Sequence, residues 1–187
     1  MSKLNQLIMK NYILFLFTLI SCSYPKAQEV IYPLETKGFP ISGAYYKDIY
    51  NELDPFLGTW KGTKNGKTFI ITFTKIKDYS PNDNYSKDRL VGKYKILDSN
   101  NNIIYDTTNL SNQDSKIISL GFTPQKKSLW FTYLDFCIEG DIYINKDHQN
   151  QNLLNYGYSR RQVIVTKESG CADNIEVPTG QLTLVKQ

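Results

Sequence analysis

From residue 58 to the C-terminus, apolar and polar residues alternate with period two, the pattern of half-buried β-strands. Gly58-Thr59-Trp60-Lys61-Gly62-Thr63 puts Trp60 on one face and Lys61 on the other. Asn65-Gly66 follows, a pair that accepts the two positive φ angles of a tight hairpin turn. The return strand, Thr68–Thr74, places Phe69, Ile71 and Phe73 on one side. A polar loop is expected from Asp78 to Lys87, around Pro81. Beyond it, Arg89–Ile96 turns Leu90, Tyr94 and Ile96 inward and Lys93 and Lys95 outward. Shorter strands are predicted at Ile103–Tyr105 and Ser115–Phe122. Ser128–Leu134 is apolar on both faces and reads as a central, well-covered strand. Asp141–Ile144 pairs with Asn152–Tyr158 across a polar tip at Lys146–Gln151. After a mixed stretch from Gln162 to Asn174, Gly180–Lys186 closes the chain as a strand.

Upstream of residue 58 the pattern changes. Residues 23–44 hold Pro25, Pro33, Gly38, Pro40 and Gly43 with no sustained period, so a tether without regular structure is expected over residues 22–44. Ile49, Leu53 and Phe56 then recur at spacings of four and three, which predicts a short helical turn over Asp48–Asp54, stopped by Pro55. Seven to nine short strands without a long helical period predict an all-β fold for residues 45–187. Successive hairpins favour a single antiparallel up-and-down β-barrel, because closure removes exposed strand edges.

The stretch that opens the first long strand carries a resemblance. Phe56-Leu57-Gly58-Thr59-Trp60 resembles the start of a lipocalin-type barrel. That likeness implies a Gly58/Trp60 plug at one barrel end, beneath a short helical turn. Lipocalins usually supply an Arg from the last strand to cover the Trp; here the final strand offers Lys186. A longer stretch, Lys47-Asp48-Ile49-Tyr50-Asn51-Glu52-Leu53-Asp54-Pro55-Phe56-Leu57-Gly58-Thr59-Trp60, together with Pro178-Thr179, resembles an uncharacterised family of secreted bacterial lipoproteins. That family implies no activity.

The N-terminus supplies an address. Lys3 and Lys10 precede the apolar run Tyr12–Ile20, which ends in Ser21 and Cys22. A positive start, a short apolar core and a small-residue exit make a secretory signal over residues 1–21. Leu19-Ile20-Ser21-Cys22 resembles a bacterial lipobox, which implies a lipid on Cys22 and anchorage in the cell envelope, at the outer membrane. The run is about half the roughly 20 residues a transmembrane helix needs. The alternative is soluble secretion after cleavage near Ala27, where Pro25 is a poor fit to the small-x-small rule. Met9 is a second plausible start, since Met9-Lys10-Asn11 already forms a compact charged region.

Composition sharpens this reading. Removing residues 1–21 from 187 leaves 166, enough for one domain with a real core. The net charge of +4 falls to +2 once Lys3 and Lys10 depart, too small an excess to mark a nucleic-acid surface. With Cys22 acylated, Cys137 and Cys171 remain in an oxidising compartment and are expected to pair. Their bridge would span 34 residues and contribute about 3–4 kcal/mol on chain-entropy grounds.

Chemistry is sparse. His148 is the single histidine and sits in a polar tip without a nucleophile and acid beside it. Asp98-x-Asn100-x-Asn102 begins like a calcium loop, but Ile103 and Asn109 stand where Gly and a bidentate Glu are needed. Acid pairs such as Asp135 with Glu139 or Asp141 could face one another, at a separation set by the fold rather than the sequence. No metal and no cofactor is expected, and the protein reads as a non-catalytic monomer. Two functions remain open. One is a barrel whose aromatic faces, Phe69, Phe73, Tyr94 and Phe131, take a small apolar or amphipathic ligand. The other is an envelope interaction module without a cavity, using loops Asp78–Lys87 and Ser159–Asn174.

Overall fold

The computed structural model describes residues 29–125, 128–135, 138–161 and 177–187. The chain divides into two units, Met1–Val30 and Ile31–Gln187, and the second holds the barrel. Its strands are β1 (Val30–Pro33, which begins at the unit boundary), β2 (Ala44–Lys47), β3 (Gly58–Lys64), β4 (Lys67–Ser80), β5 (Tyr85–Leu97), β6 (Ile103–Asp106), β7 (Ile117–Phe122), β8 (Leu129–Asp135), β9 (Ile138–Lys146), β10 (Leu153–Arg160) and β11 (Gly180–Lys186). One 3₁₀ turn, Asp54–Phe56, precedes β3.

Eight of these strands close an antiparallel ring in the order β3-β4-β5-β7-β8-β9-β10-β11. Neighbours along the chain are neighbours in the ring, so the barrel is up-and-down. The ring shuts where β11 meets β3, with Val185 opposite Lys61 and Lys186 opposite Trp60. The backbone N–H of Gln187 donates to the Thr59 carbonyl at 2.9 Å and extends this seam. Along one edge β5 pairs with β4 over its whole length. Its other edge is shared by β2 at residues 86–87, β7 at 91–92 and β6 at 95–97. The β5–β7 seam is therefore short, and side chains reinforce it. Ser119 Oγ accepts from the Leu90 N–H, and Arg89 donates to the Ser119 carbonyl.

Alternation accounts for the interior. Leu90, Tyr94 and Ile96 point inward from β5 and Phe69, Ile71 and Phe73 from β4, all buried. The Asn65-Gly66 turn forms as its residues require, with φ of 51° and 73° and Lys64 opposite Lys67.

Four local expectations are corrected. Residues 29–44 are not all without regular structure: Val30–Pro33 form β1, and Leu34 is buried against the core. The Asp78–Lys87 loop is the continuation of two strands around a four-residue turn, because pairing persists to Ser80 opposite Tyr85. The helical turn expected over Asp48–Asp54 shrinks to the single 3₁₀ turn, and Pro55 lies within it rather than ending it. Its missing N–H costs nothing at the first turn. Leu53 and Phe56 are buried as expected, but Ile49 is exposed. Finally, β8 is not covered on both faces throughout: Phe131 and Tyr133 point inward, and on the outer face Thr132 is buried and Trp130 half-buried, but Leu134 is exposed. Cys22, Cys137 and Cys171 lie outside the described residues, as does most of the stretch Ser159–Asn174.

Candidate functional site

One end of the barrel is plugged. Gly58 enters β3 at a φ of 100°, a conformation open to glycine and costly for side chains. This turn drops Trp60 into the barrel end, where it is fully buried, and its indole N–H donates to the Phe56 carbonyl at 2.9 Å. Lys186 covers the ring from the last strand, with Nζ 5.3 Å from its centroid. The residues before the plug are held by buried carboxylates. Asp48 accepts the Glu52 and Leu53 N–H groups at 2.7 and 3.1 Å and the Lys75 ammonium at 2.9 Å. Asp88 accepts the Asp48 N–H at 2.9 Å and the Tyr45 hydroxyl. Lys75 also pairs with Asp54. Burial works against the Lys75 charge, but Asp54 and Asp48 outweigh it and hold its pKa above the usual lysine value.

The opposite end is lined with hydroxyls. Asp135, the last residue of β8, points inward and is buried. Its carboxylate accepts Tyr105 at 2.6 Å and Tyr133 at 3.4 Å, and Lys116 stands 3.2 Å from its other oxygen. Tyr94 and Tyr133 share a hydrogen bond of 3.2 Å, and Tyr94 and Tyr105 stack with centroids 5.6 Å apart. Burial raises the pKa of all three tyrosines, and the neighbouring Asp135 charge adds to this, pushing Tyr105 up to about 12. Tyr158 completes the group, edge-on to Tyr133 at 5.8 Å. Its ring lies over Gly140, where an added Cβ would sit 2.1 Å from a ring carbon.

Between the two ends, side chains from different walls meet across the lumen. Phe73 of β4 lies 5.0 Å from Phe131 of β8, and Phe69 of β4 lies 5.7 Å from Tyr156 of β10, centroid to centroid. Each of these rings is buried.

The match that decides kinship spans residues 9–187, to a family of unknown function, DUF6705. The chain belongs to that family. No curated protein and no solved structure matches it. The DUF6705 barrel gives physical reasons for the stretch from Lys47 to Trp60. Asp48 fixes the turn, Leu53 and Phe56 pack beneath it, Asp54 pairs with Lys75, and Gly58 aims Trp60.

The other residues weighed from sequence fall apart in space. His148 stands exposed at the β9–β10 tip. Asp98 accepts the Asn100 and Asn102 N–H groups, so Asp98–Asn102 is a turn closed on itself. Asp135 points into the barrel while Asp141 points out, where it accepts Trp130 Nε1 at 2.8 Å and pairs with Arg161. These carboxylates do not converge. Sequence reasoning missed the Tyr105, Tyr133 and Lys116 group around Asp135. Its signal was present: Asp135 shares the parity of Leu129, Phe131 and Tyr133, which puts a charge among inward-facing apolar residues.

Proposed function

We propose that this DUF6705 member is an exported, lipid-anchored and non-catalytic envelope module, a filled monomeric barrel that offers the end opposite the plug to a protein partner. The meeting of Phe73 with Phe131, and of Phe69 with Tyr156, carries this reading. Rings that touch across the lumen occupy the volume a carried ligand would need, and ligand sites are typically cavities of roughly 300–1,000 Å³. Anchorage rests on the Lys3–Cys22 segment and pairing of Cys137 with Cys171 on cysteine parity in an oxidising compartment. Intact mass of membrane-extracted protein, taken without reductant, reads both: an acylated Cys22 terminus and two thiol hydrogens fewer are expected.

The filled barrel is tested by titrating purified protein with environment-sensitive apolar dyes and long-chain fatty acids. No saturable one-to-one binding is expected. Saturable binding displaced by fatty acid would return the carrier reading. For the partner, photo-crosslinkers placed at exposed Ile103, beside the end opposite the plug, are expected to yield one discrete adduct in intact cells. Crosslinkers on the outer wall at Tyr143 serve as the comparison, and equal labelling from both positions overturns the assignment of a partner to the end opposite the plug.

A second reading keeps a small amphipathic ligand, placed at the mouth rather than in the lumen. The half-exposed Tyr105 hydroxyl, Asp135 and Lys116 favour it, because they set polar groups beside aromatic rings. Saturable dye binding lost in Tyr105→Phe is the result that would select it.

A further inference from the structure

The long β4–β5 hairpin runs past the plug, and β2 and β1 lie beside it as an outrigger to the barrel. Hydrogen bonds gather one cluster at its tip. Asn84 accepts from the Gly43 N–H through its carbonyl and from the Tyr79 hydroxyl through its side chain, and donates to Ser42. Ile41 is tied down by its N–H, which donates to the Tyr46 hydroxyl. Around this tip the chain exposes large apolar groups: Phe39 at 98%, Tyr79 at 56% and Ile41 at 50%. Phe39 and Ile41 lie next to Ser42, which Asn84 ties to the Tyr79 hydroxyl, so the tip carries exposed apolar and aromatic side chains of the kind that suit a membrane interface. Lys37 stands two residues before Phe39 and Lys77 two before Tyr79, with the acidic Glu35 and Asp83 four residues from Phe39 and Tyr79. The charge is mixed, so electrostatic capture by anionic lipid does not explain the patch.

We propose that this tip docks on the lipid surface that holds the anchor, with Phe39 entering the interface. The proposal rests on acylation of Cys22. Nine residues lead from Cys22 to Ile31, and a fully extended chain of that length reaches at most about 30 Å. Ile31, where the barrel unit begins, is thus held within that reach of the bilayer to which the cysteine is fixed. In this posture the plug end faces lipid and the tyrosine–aspartate end faces away. Tyr45 lies opposite Ser86 and Ile103 opposite Leu97, so the ends are separated by eleven residues of β5, about 35 Å of strand.

The test uses full-length acylated protein in vesicles of phosphatidylethanolamine and phosphatidylglycerol, with and without brominated acyl chains. Phe39→Trp adds a fluorophore at the tip, and Ile103→Trp adds one at the far end; both positions are exposed, so folding is not at risk. The emission added by Phe39→Trp is expected to shift to the blue and to be quenched by brominated lipid, while that of Ile103→Trp is unchanged. Flotation with vesicles but no quenching of Phe39→Trp, or equal quenching of both, overturns the docking and leaves the anchor standing. A wild-type protein without acyl mass that fails to float refutes the anchor, and the docking falls with it.

Discussion

Lys186 Nζ stands 5.3 Å from the centre of the Trp60 ring, so the last strand covers the tryptophan of the first with a cation. The same two residues are opposite one another in the β11–β3 ladder, which couples barrel closure to the plug. Lys186→Met is expected to lower unfolding stability by about 0.5–1 kcal/mol, and Lys186→Arg to keep it, because either cation meets the ring face. Urea unfolding measures both; equal losses in the two variants would assign the effect to strand pairing instead.

Trp60 itself fills the barrel end and spends its N–H on Phe56. Trp60→Ala is expected to cost about 3–5 kcal/mol. Trp60→Phe should cost less, losing the hydrogen bond and part of the volume. Thermal melts of the two variants give the order.

Asp48 is the polar hinge of the segment before the plug. Asp48→Ala leaves one buried and one partly buried N–H group without their acceptor and takes one carboxylate from Lys75. A loss of about 1–3 kcal/mol is expected. Replacing Asp54, which is half-exposed, should cost less by the same urea measurement.

At the end opposite the plug, Gly140 leaves room for the Tyr158 ring. Gly140→Ala is expected to destabilise by about 1–3 kcal/mol, as overpacking does. Since the clash is with one ring, adding Tyr158→Leu should recover part of the loss, and a double-mutant cycle reads that coupling. Simple addition of the two losses would mean that the ring is not the obstacle.

The tyrosine group predicts alkaline sensitivity with a definite sign. Burial and the Asp135 carboxylate push Tyr105 up to about 12 from an ordinary 10.0, and Tyr94 and Tyr133 are also raised. Above pH 10 the unfolded chain sheds protons that the folded chain retains, so the unfolded state gains. The contribution of Tyr105 is complete below pH 10 and declines as pH climbs toward 12. Denaturant midpoints across that range, with Tyr105→Phe as the comparison, check it. The variant should show a shallower decline.

Much of this was legible in the chain. Period-two alternation in Arg89–Ile96 determined that Leu90, Tyr94 and Ile96 face in and Lys93 and Lys95 face out, because successive side chains on a strand leave opposite faces. The Asn65-Gly66 dipeptide determined its turn, and Gly58 with Trp60 marked the first barrel strand. These are local properties, set by backbone sterics and by which face must be buried. The same alternation put Asp135 on the inward side, but nothing in sequence named the two tyrosines and the lysine that receive it. That grouping, the meeting of Phe73 with Phe131, the brief β5–β7 seam and the placing of Lys186 over Trp60 were decided only by the tertiary structure. Each joins residues far apart in the chain, and their meeting depends on strand register and on the tilt that closes a barrel, which no local pattern carries.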